Sequence, residues 1–161
     1  MAAFQYRLQQ VFELRERKKK EQEQRVIQAR RHVREVEQAI QQKKDEIRSV
    51  RDHMLKSPHT MMASHDEYLY VLNQELDKLY QDLDAAKQQL AYEQQMLQKA
   101  QADVEALLKH KDKALEEWQE EQKRIEMKQL DEVASQRFFR AQQAALDEET
   151  EDLNNLLNSL E

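Results

Sequence analysis

A spacing of three and four residues between apolar side chains governs most of this chain and breaks at one place. The first frame runs from Leu8 through Phe12, Arg15, Lys19, Gln22, Val26, Ala29, Val33, Val36, Ile40, Lys43, Ile47 and Val50 to Met54. The second starts at Leu69 and passes through Leu72, Leu76, Leu79, Leu83, Ala86, Leu90, Glu93, Leu97, Ala100, Val104, Leu107, Lys111, Ala114, Trp118 and Glu121 to Ile125. A seven-residue repeat held over so many turns specifies a left-handed coiled coil. Disordered chains of high charge do not keep such a phase.

Composition closes off the alternatives. Ala, Glu, Lys, Leu and Arg make up about half of the 161 residues, and there is no glycine and a single proline. Without glycine the chain lacks the left-handed positions that tight turns and phosphate-cradling loops need. Sheet sandwiches, barrels and Gly-rich nucleotide folds are thereby excluded. With no cysteine there is no disulfide, thiolate nucleophile or Cys-based zinc site. The first twenty residues contain no apolar run of the secretory type. No segment approaches the roughly 20 apolar residues of a membrane span, so no direct membrane insertion is expected.

The break falls at Lys56-Ser57-Pro58-His59-Thr60-Met61-Met62-Ala63-Ser64. Pro58 disfavours helix at Ser57 and removes a backbone donor. Ser64 with Glu67 has the spacing of a capping box. These signals predict helix 1 over about 4–56, a turn over 57–64 and helix 2 over about 65–145. An acidic tail over about 146–161 is expected to fray or form a short extra helix. The expected fold is all-α: one domain over 1–161, a long two-helix antiparallel coiled-coil hairpin whose C-terminal helix overhangs its partner. Opposed positions should have residue numbers that total about 119, so that Val50 faces Leu69, Ile47 faces Leu72 and Phe12 faces Leu107. On that register everything after Trp118 projects beyond helix 1, yet Ile125, Met127, Leu130, Val133, Ala134, Phe138 and Phe139 keep it apolar.

Charge is unevenly divided. Residues 1–56 carry 15 basic and 9 acidic side chains, and residues 57–161 carry 11 and 23. Opposite charge favours pairing of the two helices, although each exposed pair contributes only tenths of a kcal/mol. The basic run from Arg15 to Lys20 is interrupted by glutamates and lacks interleaved aromatics, so no nucleic-acid partner is expected. His32, His53, His59, His65 and His110 are scattered without ligand spacing. The many carboxylates sit on solvated helix faces, where no pocket would desolvate an acid–base pair. No enzyme activity, metal or cofactor is expected. Met61 and Met62, with Tyr68 and Tyr70, form a small apolar cluster at the turn that either closes the coiled coil or receives a partner.

Two segments carry a family resemblance. Phe4-Gln5-Tyr6-Arg7-Leu8-Gln9-Gln10-Val11-Phe12-Glu13-Leu14-Arg15 resembles the aromatic–x–aromatic–Arg–Leu–x–x–Val–Leu–x–x–Arg opening of flagellar export protein FliJ, with Phe12 in place of a common leucine. Glu126-Met127-Lys128-Gln129-Leu130-Asp131-Glu132-Val133-Ala134-Ser135-Gln136-Arg137-Phe138-Phe139-Arg140 is similar to the family's E-x-K-x-x-D-E-x-A-x-x-R-x-x-R region. The YscO-type stalk proteins of virulence type III secretion are the next nearest resemblance.

The resemblance implies a non-enzymatic stalk, a monomer when free, that inserts into and stimulates a hexameric export ATPase. It implies further partners in a membrane export gate and export chaperones, and a cytoplasmic location peripheral to the inner membrane. On that reading Phe4, Tyr6, Arg7, Leu8, Val11, Arg15, Leu130, Val133, Arg137, Phe138 and Arg140 lie near the ATPase. Met61, Met62, Tyr68 and Tyr70 face the gate or a chaperone. The rival from the residues alone is a structural coiled coil that dimerises through its C-terminal overhang.

Overall fold

The computed structural model describes residues 3–159, and among these there are two long helices and no strand. α1 spans Gln9–Lys56 and α2 spans Met62–Asn158, joined through a 3-10 turn at His59–Met61. The chain divides into two units, residues 7–109 and residues 110–159 with the N-terminal segment up to Tyr6.

The first unit is an antiparallel helical hairpin. Arg15 pairs with Asp103, Gln22 with Glu93 and Lys43 with Glu75, so positions advance along α1 as they recede along α2. Two of these pairs lie one residue from the expected register. The core is a single seam. Val26, Val33, Val36, Ile40 and Ile47 of α1 are buried, with Leu72 and Ala86 of α2. Every position of the second frame from Leu69 to Leu107 is at least half withdrawn from solvent. Removing a Val, Leu or Ile side chain from water stabilises the hairpin by roughly 1.5–3 kcal/mol when burial is complete, and Leu72 at 2% exposure comes nearest to that limit.

The turn departs from the expected boundaries. α1 ends at Lys56 as expected, with Ser57 extended at φ -91°, ψ 154° and its hydroxyl donating to the His53 carbonyl at 2.8 Å. Pro58 then supplies φ -60°, and the Met61 amide donates to its carbonyl at 3.0 Å. This 3-10 turn leads directly into α2 at Met62, three residues before the predicted start. Ser64 is inside the helix and does not cap it. A proline-initiated turn satisfies the first orphan amides, so the capping box has no role here.

The second unit contains α2 from His110 onward and the non-helical segment up to Tyr6 that precedes α1. α1 begins at Gln9, not at 4; residues 3–6 are non-helical and lead through a turn at Arg7 and Leu8 into the helix. Lys111, Ala114 and Trp118 remain half-buried on the seam, but from Lys123 to Ser159 every residue is exposed. The expected helix end near 145 is also corrected: α2 continues to Asn158. No glycine or proline follows Pro58, and Ala144, Ala145, Leu146, Glu148 and Glu149 are strong helix formers. The predicted acidic tail is therefore helical to Asn158, and its last two residues lie outside the described range.

Candidate interaction surfaces

Phe4 and Tyr6 are placed by contacts with α2 within the second unit. The Phe4 ring lies 5.9 Å from that of Trp118, tilted by 58°. Tyr6 is buried at 8% exposure, its hydroxyl 2.9 Å from Nδ1 of His110. With the imidazole protonated at Nε2, the phenol donates to Nδ1. The Lys111 ammonium sits 6.0 Å from the centre of the Tyr6 ring, a cation–π geometry. Both rings of this non-helical segment pack on α2, Phe4 at Trp118 and Tyr6 at His110. Tyr6 is thus a packing residue, while Phe4 is half-buried beside Trp118.

The other residues of the N-terminal motif belong to the hairpin unit. Leu8 is half-buried, and its carbonyl accepts from the Phe12 amide at 2.9 Å. Arg7 and Val11 are exposed. Arg15 Nη1 is 3.0 Å from Asp103 Oδ2, an exposed ion pair that contributes little to stability.

The C-terminal motif is a free helix face. Leu130, Val133, Arg137 and Arg140 follow a three-four-three spacing, which aligns them along one side of α2. All four are exposed, with Leu130 at 65%. Phe138 is also exposed, and its ring meets that of Phe139 edge-on with centroids 6.2 Å apart. Leu130 is twelve residues past Trp118 on the same helix, or about 18 Å at 1.5 Å per residue. The structure therefore does not gather Phe4 and Tyr6 into one patch with Leu130 and Phe138.

At the hairpin tip Met61 and Tyr70 are exposed, and Met62 is half-buried. Tyr70 accepts a hydrogen bond from Gln74 at 2.9 Å. Tyr68 is tied into a polar network that spans the two helices. Its hydroxyl donates to Glu46 Oε1 at 2.8 Å, and Lys43 Nζ lies 3.1 Å from Glu46 Oε2 and 2.8 Å from Glu75 Oε2. The Tyr68 and Lys43 hydrogen bonds hold the Glu46 carboxyl below its ordinary range. The same Glu46 carboxylate pushes the Tyr68 phenol up, and Glu75 followed by Glu46 pushes the Lys43 ammonium up.

Sequence reasoning missed this network, although Lys43 at a seam position was its one visible signal. It also passed over His110, the partner of Tyr6. Among the described residues no cluster of His, Asp and Glu could hold a metal ion, and no helix is long and apolar enough to cross a membrane.

Neither curated proteins nor solved structures give a match to the chain. A family model does, described as flagellar FliJ protein and matching residues 4–143. That span includes the Phe4–Tyr6 anchor, the whole hairpin and the exposed Leu130–Arg140 face. The chain accordingly belongs to the FliJ family, structural proteins of flagellar export.

Proposed function

We propose that this chain is a non-enzymatic, central-stalk-like coiled coil that enters and stimulates the hexameric export ATPase. The observation that carries the reading is the exposed face of Leu130, Val133, Arg137 and Arg140, with Phe138 beside it. It lies within the family match yet has no covering element among the described residues. A helix with large apolar side chains in water is built to be covered by something else. Arg7, just before α1, and Val11 and Arg15 on it are also exposed, and in this reading they too meet the ATPase. Phe4 and Tyr6 pack the N-terminal segment on α2 at Trp118 and His110, and Leu8 is half-buried in the hairpin.

In this reading the other end of the hairpin, with Met61, Met62, Tyr68 and Tyr70, meets the membrane export gate or an export chaperone. The protein works in the cytoplasm, peripheral to the inner membrane, and is a monomer when free. Removing residues 119–161 should abolish stimulation of the ATPase while leaving a helical hairpin by circular dichroism. Full stimulation by the shortened chain would overturn the assignment.

A further inference from the structure

After Arg140 the sequence contains no lysine or arginine, and five of the six residues from Asp147 to Asp152 are acidic. Residues 144–159 also lie past the family match. The apolar residues here are nevertheless ordered. Phe139, Leu146 and Leu153 recur at intervals of seven, and Gln143, Thr150 and Leu157 complete a four-three pattern. These six positions form one uncharged stripe along α2, which is helical throughout. Phe139, Leu146, Leu153 and Leu157 are all strongly exposed, Phe139 at 68%.

This stripe is distinct from the face assigned to the ATPase. Phe139 is nine residues from Leu130, and Leu146 is nine from Arg137. At 3.6 residues per turn that separation is about half a rotation, so the two faces look in opposite directions.

Charge decides what can cover the stripe. Asp147 and Glu149 flank it directly, Arg140 flanks only its N-terminal end beside Phe139, and Glu148, Glu151 and Asp152 lie on the outer side of the helix away from it. A second copy in antiparallel register would set Leu146 against Thr150 of its partner. It would thereby bring Asp147 to Asp147 and Glu149 to Glu149 across the symmetry axis. A parallel copy would align two runs of carboxylates with no cation between them. Both of these full-overlap arrangements are repulsive, and the one-heptad shift that would set Arg140 beside Asp147 gives up two of the six seam layers. Nucleic acid and anionic lipid carry the wrong sign.

We propose that the Phe139–Leu157 stripe is a docking seam for one cationic amphipathic helix of a partner protein, laid along α2 as a short two-stranded coiled coil. The apolar residues supply the seam, and the flanking carboxylates select lysine and arginine at the partner's edge positions.

The test uses the full-length chain and a synthetic peptide of about 21 residues, three heptads with leucine at the seam and lysine at the edges. Titration calorimetry should give one-to-one binding that weakens, without vanishing, as salt rises. Leu146→Asn with Leu153→Asn should lower affinity by at least about tenfold, the effect of losing roughly 1.4 kcal/mol of apolar burial. Leu130→Asn with Val133→Asn, on the opposite face, should leave binding unchanged. Because all four side chains are exposed, circular dichroism should show helicity preserved. The proposal is overturned if a scrambled peptide of identical composition binds equally well. It is likewise overturned if a glutamate-edged peptide binds equally well, or if the Leu146 and Leu153 substitutions have no effect. Dimerisation of the full-length chain through these residues in light scattering would also overturn it. No ATPase is present in the assay, so its outcome stands apart from that of the stalk reading.

Discussion

The Tyr6 hydroxyl sits 2.9 Å from His110 Nδ1, joining two residues 104 positions apart. Together with the Phe4–Trp118 ring contact, it fixes the non-helical N-terminal segment on α2. Tyr6→Phe removes one hydrogen bond, with an expected cost of about 1 kcal/mol. Tyr6→Ala also removes the ring, at about 3 kcal/mol or more. The loss is local, since the seam of the hairpin lies elsewhere. Limited trypsin digestion should therefore cut after Arg7 sooner in Tyr6→Ala than in Tyr6→Phe, and sooner in both than in the parent. Equal cleavage rates in all three would show that Tyr6 does not hold the segment.

A pH profile should report the Lys43–Glu46–Tyr68–Glu75 network. Glu46 has its acidity strengthened in the folded state, so its contribution is present above the unfolded carboxylate pKa. That contribution is lost as pH falls through the lower folded value. Tyr68 and Lys43 are shifted up, so theirs are complete below the unfolded values and disappear as pH rises through the folded ones. Tyr68→Phe should leave a shallower loss of melting temperature on the alkaline side, and a weaker acid dependence from Glu46. Superimposable profiles for the variant and the parent would argue against the network.

The seam was legible in the sequence because its cause is periodic. Spacing alone identifies the positions withdrawn from solvent between Leu69 and Trp118, and Arg15 alone among the first-frame residues is exposed. The ends of the helices were not legible, because they depend on single local competitions. Phe4 and Tyr6 could have continued α1, but they pack against Trp118 and His110 from a non-helical segment. Their aromatic–x–aromatic spacing was the available signal. Ser64 and Glu67 have capping chemistry, but Pro58 starts a turn earlier and preempts them. The candidate surfaces divide in the same way. Leu130 and Phe138 could be read as surplus apolar residues, whereas the burial of Tyr6 and the Tyr68–Glu46 bond arise from tertiary contacts that no spacing encodes.

Leu72 and Leu130 are identical in chemistry and opposite in environment, at 2% and 65% exposure. Leu72→Ala should destabilise the hairpin by about 2–5 kcal/mol through lost transfer energy and a residual cavity. Leu130→Ala should change stability by less than about 0.5 kcal/mol. On the proposed function, the order reverses for ATPase stimulation at a temperature where both variants are folded. Urea unfolding and a phosphate-release assay on the same preparations would measure the two effects. A stable Leu72→Ala variant would contradict the seam, and normal stimulation by Leu130→Ala would count against the exposed face as the ATPase contact.

Gln22 and Glu93 occupy seam positions where apolar residues would pack better. Gln22 Nε2 donates to the Glu93 carbonyl at 3.0 Å and also to its carboxylate, while Gln89 donates to the other carboxylate oxygen at 2.9 Å. Neither Gln22 nor Glu93 is fully buried. Gln22→Leu alone leaves the half-buried carboxylate short of a donor, at a cost of about 1–2 kcal/mol. Replacing both by leucine restores an apolar layer and should stabilise the hairpin by roughly 1–3 kcal/mol, since a polar seam pair is retained at the expense of stability. Thermal melts of the parent, both single variants and the double variant close the cycle. A double variant less stable than either single would show that the polar layer is a net stabilising contact and not a device for fixing register.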